Sequence, residues 1–181
     1  EGKVIMAFEE SYGYMFGDYV RDKDAVTAAL ILAEAACYYA TQGKTMYDAL
    51  QDCYAKYGYY REKTINLVMP GLDGMVKMKE IMSTLRQHPL SEVAGVKVVE
   101  QKDYQDGSVH NTVTGEDSAM ELSGSNVLRY ELEDGTSFII RPSGTEPKIK
   151  VYVLTHGASQ AECTEKLAKY TAFADVIKTM A

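Results

Sequence analysis

Between Val127 and Glu133 the chain alternates strictly, with Leu128, Tyr130 and Leu132 on one side and Arg129, Glu131 and Glu133 on the other. A period of two marks a strand with one buried face. Asp134-Gly135 follows as a two-residue hairpin signal. Thr136 to Arg141 then reads as the return strand and Lys148 to Leu154 as a third. Upstream, Thr64 to Met69 and Val96 to Val99 predict two more strands. The period shifts to that of a helix after Pro70-Gly71, where Met75, Met78, Met82 and Leu85 share a face that ends before Pro89. This methionine stripe suits an irregular core. Ser159 and Glu162 have the spacing of a capping box, and the helix they open carries Cys163, Leu167, Tyr170, Ala174 and Ile177 on one stripe to about Lys178. Asp106 to Ser125 is polar, has no period, and reads as a long connection or lid. The order β-α-β-β-β-β-α predicts a two-layer α+β domain with a largely antiparallel sheet and two helices, spanning 61–181.

The first sixty residues follow a different pattern. Val4 to Phe8 is a short apolar strand, and Glu9 to Gly17 reads as a loop rich in Gly and Tyr. Asp24 is placed to cap a helix from Ala25 to Thr41 whose one charge is Glu34. A helix apolar nearly all round predicts burial on more than one side. Its apolar run is too short and interrupted to span a membrane. Gly43 ends it. Thr45 and Asp48 open a second helix with Met46, Ala49, Leu50, Cys53 and Tyr57 at helical spacing, stopped by Gly58. The region 1–60 therefore reads as a partial α/β domain ending in an αα-hairpin. Glu1 to Lys3 run straight into a strand with no initiator Met, which predicts a piece of something longer.

Composition narrows the function. The chain has 181 residues, 46% hydrophobic, with a formal net charge of -7. Such an acidic chain is a poor partner for nucleic acid or an anionic membrane, so phosphate recognition must come from a small local site. The cysteines Cys37, Cys53 and Cys163 are odd in number and unpaired in spacing, and are expected to be reduced core residues. His88, His110 and His156 lack ligand spacing. No metal site is expected, and the chain reads as cytoplasmic.

Two loops carry candidate chemistry. Arg141-Pro142-Ser143-Gly144-Thr145-Glu146-Pro147-Lys148 joins two strands. Arg141 offers a planar fork of donors, Ser143 and Thr145 offer hydroxyls, and Gly144 permits amides to turn inward around an anion. An ordinary tight connection with surface hydroxyls is the competing reading, since Ser, Gly and Pro dominate turns in general. The second loop is Phe8-Glu9-Glu10-Ser11-Tyr12-Gly13. Its carboxylates and hydroxyl suit vicinal sugar hydroxyls, although a short acidic motif is equally a solvated surface. Lys23, at a helix start where a cation is disfavoured, invites a functional role beside the alternative of a solvated charge cluster.

Arg-Pro-Ser-Gly-Thr-Glu-Pro-Lys with the following Lys148-Ile149-Lys150-Val151-Tyr152 closely resembles the phosphate-binding loop in the fourth domain of the α-D-phosphohexomutase family. Glu9 and Ser11 resemble the hydroxyl-reading positions of the same family's third-domain sugar loop. Phe8 and Tyr12 stand where that loop has Gly, a form nearer the glucose-type and pentose-type phosphomutases than the bacterial phosphomannomutases. The resemblance implies a phosphate site at Arg141, Ser143, Gly144 and Thr145, with Lys23 and Lys150 facing the cleft and Lys148 a further candidate. It makes 1–60 the end of a third, sugar-binding domain and 61–181 the fourth. It also implies phosphoglucomutase or phosphomannomutase chemistry, in which phosphate moves between O1 and O6 of a hexose. The family's phosphoserine segment and Mg²⁺ loop have no counterpart here. Mg²⁺ and hexose 1,6-bisphosphate are therefore implied for the full-length enzyme, and this fragment alone is expected to be inactive. Its expected partners are a hexose phosphate and the missing N-terminal domains. With its sheet neighbours missing, the first region is expected to be the less stable and prone to self-association. The alternative is a non-catalytic α+β anion-binding module.

Overall fold

A computed structural model of the chain describes residues 3–9, 12–71 and 73–180. It divides into two compact units, Glu1–Tyr57 and Gly58–Ala181.

In the first unit, β1 (Met6–Phe8) pairs antiparallel with β2 (Tyr14–Phe16), in register Phe8 against Tyr14. The stretch expected to be loop throughout thus contains a strand, too short to show a period. Helix α1 (Ala25–Ala40) begins where Asp24 accepts a hydrogen bond from the Val26 amide. Helix α2 (Met46–Tyr57) opens with a reciprocal box: Asp48 accepts from the Thr45 amide at 2.8 Å and Thr45 Oγ1 accepts from the Asp48 amide at 3.2 Å. The expectation that α1 is buried on several sides fails. Among the described apolar side chains of this unit only Ala28 and Ala49 are buried, whereas Val26 is 81% and Leu30 66% exposed. Cys37 and Cys53 are likewise exposed rather than core residues, because these helices carry more apolar surface than the unit has sheet to cover it.

The second unit has its own core. Its strands are β3 (Tyr59–Val68), β4 (Glu92–Val93), β5 (Val96–Asp103), β6 (Ser108–Asn111), β7 (Asp117–Ala119), β8 (Leu128–Leu132), β9 (Ser137–Pro142) and β10 (Lys148–Gly157). They form one sheet in the order β3-β10-β9-β8-β5-β6-β7, with β4 on β5 and every pairing antiparallel. The fold class is α+β, as the alternation implied. Asp106 to Ser125 is not a structureless lid: β6 and β7 form a hairpin that extends the sheet. Its strands are exposed or half-buried, so they leave no apolar alternation to read.

Helices α3 (Gly74–Gln87) and α4 (Gln160–Ala174), with a 3₁₀ turn at Asp175–Thr179, cover one sheet face. Met78, Ile81, Met82 and Leu85 of α3 pack with Leu67, Tyr130, Ile140, Val151, Tyr170 and Ile177 in one cluster. Met75, expected on the same stripe, is exposed. Cys163 is buried, as its stripe implied. Ser159 caps α4 by accepting from the Glu162 amide at 3.1 Å, but Glu162 reaches back to the amide of Ala158 rather than Ser159.

Candidate functional site

The Arg141 loop is the tip of the β9–β10 hairpin. Arg141 lies opposite Lys150, and Pro142 opposite Ile149, before the chain turns. The Ser143 amide donates to the Lys148 carbonyl at 2.9 Å, and Pro147 O accepts from Met69 N at 2.8 Å, which ties the loop to the end of β3. Cross-strand partners share a face, so Arg141 and Lys150 stand on the side opposite the α3–α4 core. Arg141 is exposed, and among the described residues no hydrogen bond or ion pair engages its guanidinium.

The loop interior is more self-contained than a bare nest of amides. Thr145 N and Glu146 N donate to Ser143 Oγ at 3.4 and 3.3 Å, and Lys148 N donates to Glu146 O at 2.7 Å. The two bonds to Ser143 are long and therefore weak, so those amides can re-aim at a stronger acceptor. With its lone pairs on these amides, the Ser143 hydroxyl keeps its proton to donate outward. Gly144 faces open space: a Cβ there would meet nothing within 4 Å. Lys148 is paired with Glu146, and the bond from Lys148, with a smaller pull from Lys150, holds the Glu146 carboxyl below its usual range.

In the first unit the described residues after β1 bond to one another. Glu9 N donates to Gly13 O at 2.9 Å, and Tyr12 takes a left-handed φ of 65°. Ser11 lies outside the described residues. Glu9 and Lys23 come together, with Lys23 Nζ 3.4 Å from Glu9 Oε1 and 2.9 Å from Asp22. The hydrogen bond to Asp22, then the charges of Asp22 and Glu9, raise the Lys23 ammonium above its ordinary value. Gly13 is packed over the pair: a Cβ on it would sit 2.6 Å from Lys23 Cγ and 3.2 Å from Glu9 Oε2. A cleft of about 230 Å³ opens here, lined by Phe8, Glu9, Met15, Arg21 and Lys23 among others. A carboxylate fixed by an ammonium presents both an acceptor and a donor to a polyol.

Sequence reasoning missed residues around the Arg141 loop. Gly74, at the start of α3, touches Pro147. Lys79 and Asn126 share a cleft with Ser143 and Gly144. Lys79 sits one step off the methionine stripe, and Asn126 directly precedes the alternating strand, so neither had a period to announce it. Among the described residues no three His, Cys, Asp or Glu side chains converge as metal ligands would. They do not fit a Mg²⁺ site. No helix among them is long and apolar enough to cross a membrane.

Residues 1–57 match the model "Phosphoglucomutase/phosphomannomutase, alpha/beta/alpha domain III", and residues 65–169 match "Phosphoglucomutase/phosphomannomutase, C-terminal domain". A phosphoglucomutase of Staphylococcus aureus (strain N315) is 39% identical over 151 residues, covering 83% of this chain and 27% of the relative. One from Staphylococcus haemolyticus (strain JCSC1435) is 36% identical over 150 residues, covering 82% and 27%. The chain thus spans about a quarter of the length of the curated relatives it matches. In structure it resembles the open form of pp63/parafusin, a phosphoglucomutase from Paramecium, with a TM-score of 0.60 at 19% identity, over 95% of this chain and 29% of that one. That likeness concerns the fold alone.

Proposed function

The chain belongs to the phosphoglucomutase/phosphomannomutase family, and from that membership we propose that it is the part of a phosphohexomutase that holds a hexose phosphate while phosphate passes between O1 and O6. Residues 1–60 are the end of the third domain, where Glu9 and Ser11 read sugar hydroxyls and Lys23 steadies Glu9. Residues 61–181 are the fourth domain, where Arg141, Ser143, Gly144 and Thr145 grip a phosphate, with Lys150 adding positive charge. The partners of this fragment are the hexose phosphate and the N-terminal domains of its parent, and its setting is the cytoplasm. Phosphoryl transfer itself draws on Mg²⁺ and hexose 1,6-bisphosphate in the complete enzyme, where the metal neutralises developing charge. This chain binds and orients, and is inactive alone.

One observation carries the reading: among the described residues nothing engages the Arg141 guanidinium, which stands at the root of a loop whose Thr145 and Glu146 amides are weakly spent. An unspent guanidinium is a bidentate match for a phosphate dianion. Grip on whichever phosphate is distal, with hydroxyls read separately, lets one loop serve both orientations of the bisphosphate. The test is Arg141→Ala in the complete enzyme, assayed for conversion of glucose 1-phosphate to glucose 6-phosphate beside mannose and ribose substrates. A KM raised about tenfold or more is expected from losing a charge-assisted pair. Unchanged kcat and KM would overturn the reading.

A further inference from the structure

The side of the phosphate loop turned toward α3 holds groups with no role so far. A cleft of about 280 Å³ there is lined by Met75, Lys79 and Met82 of α3, by Asn126, and by Ser143 and Gly144. Lys79 has no ion pair among the described residues, and its helical neighbours Met75, Val76, Met82 and Ser83 offer it no carboxylate. Lys77, two residues nearer the helix start, is by contrast paired with Asp73 at 2.8 Å.

Asn126 is oriented from behind. Arg86 Nη2 donates to Asn126 Oδ1 at 2.7 Å, while Arg86 Nε and Nη2 donate to the Asp103 carboxylate at 2.6 and 3.2 Å. A guanidinium has only donors, so the atom it meets on Asn126 must be the carbonyl oxygen. The amide nitrogen, with two N–H donors, is thereby left over, and no described residue accepts from it. Lys79 and Asn126, with the Ser143 hydroxyl, therefore bring donors to one cleft beside the exposed Gly144. The complement of a set of donors is a group that only accepts, a phosphomonoester dianion.

We propose that Lys79 and Asn126 are further phosphate-holding residues that form the α3 side of the phosphate subsite, and that Arg86 is a positioning residue that fixes the Asn126 amide. The inference rests on the reading that the Arg141 loop takes a phosphate. Arg141 leaves the sheet on the face opposite α3, so Lys79 and Asn126 reach the loop tip from the other side and add a second wall there, built from residues distant in sequence.

The test is a titration of the isotope-labelled 181-residue chain with inorganic phosphate at low salt, followed by amide NMR. Asn126→Asp keeps the acceptor for Arg86 but replaces the donors with a carboxylate, and should weaken binding about tenfold. Lys79→Met extends the methionine floor without its charge and should weaken binding about fivefold at low salt, less as salt screens the ammonium. Arg86→Gln should weaken binding and move both Asn126 side-chain amide proton shifts toward those of a solvated Asn, with Arg86→Lys restoring part of both. Wild-type affinity in Lys79→Met and Asn126→Asp, with affinity lost in Arg141→Ala, would overturn this inference and leave the function standing. Wild-type affinity in Arg141→Ala as well, or no response of the loop in the unaltered chain, would overturn both.

Discussion

Gly74 lies against Pro147 so closely that a Cβ on Gly74 would sit 2.9 Å from Pro147 Cβ and would run into the Met69 carbonyl oxygen. Met69 N in turn donates to Pro147 O at 2.8 Å. The start of α3, the end of β3 and the exit of the phosphate loop are therefore fixed on one another, and the absent side chain of Gly74 is what lets them meet.

Gly74→Ala should cost about 1–3 kcal/mol, the usual range for overpacking against backbone, and should shift the loop. Thermal unfolding followed by circular dichroism checks the first effect and a phosphate titration the second. Gly144→Ala is the control. Its new methyl group meets nothing, so stability should stay within about 0.5 kcal/mol. Any loss of phosphate affinity there then reports close approach of a ligand. A Gly74→Ala chain as stable as wild type would show that the contact is slack.

The three cysteines should separate by reactivity. Cys37 and Cys53 are exposed, while Cys163 is buried with its thiol 3.2 Å from the Tyr59 carbonyl. A thiol-specific chromogenic reagent should label two groups quickly in the native chain and the third only as β3 and α4 separate in denaturant. Rapid labelling of Cys163 in native conditions would contradict the packing of α4.

How far the sequence disclosed this molecule depends on how local each feature is. The β8–β9 hairpin was legible because Leu128, Tyr130 and Leu132 alternate with charged residues and Asp134-Gly135 marks the turn; all three apolar residues are buried. The β6–β7 hairpin was not legible. Its strands run along the sheet edge with both faces largely wet, which removes the apolar alternation that identifies a strand. The exposure of α1 was not legible either, because an apolar helix reports what it needs, not whether the unit supplies it. In the candidate site, Arg141, Ser143, Gly144 and Thr145 lie within five consecutive residues and could be read together. Arg86, Asp103 and Asn126 meet, and Lys79 shares a cleft with Asn126, only because distant segments fold back on one another, and no spacing in the chain encodes that.

Amide hydrogen exchange should be uneven between the two units. The first buries few apolar side chains, and Val26, Leu30 and Leu32 of α1 are exposed. Opening free energy tracks buried apolar contact, so α1 and α2 amides should exchange well before those of β9 and β10. Exposed apolar patches of this kind also favour association. Sedimentation velocity should show association that rises with concentration and is reduced by Leu30→Lys. Equal protection in both units, in a chain that stays monomeric, would contradict this account of α1.

The last prediction concerns acid stability and rests on Asp134 at the β8–β9 turn. Tyr170 of α4 donates to Asp134 Oδ2 at 2.7 Å, and the Thr136 amide donates to Oδ1 at 3.0 Å. Burial pushes the carboxyl up, but these hydrogen bonds, with help from Lys166, outweigh it and hold the group below its ordinary value of 3.8. A carboxyl depressed in the folded state stabilises the fold above its unfolded pKa, and that contribution is lost as pH falls through the folded value. Asp134→Asn offers one acceptor oxygen where two are used, and removes the titration. It should cost about 1 kcal/mol at neutral pH. The gap between the two chains should hold down to about pH 5 and close as pH falls below about 4. Urea unfolding at stepped pH measures it. A gap that stays constant down to pH 2.5 would mean that Asp134 holds α4 to the hairpin by shape alone, and that its charge contributes nothing.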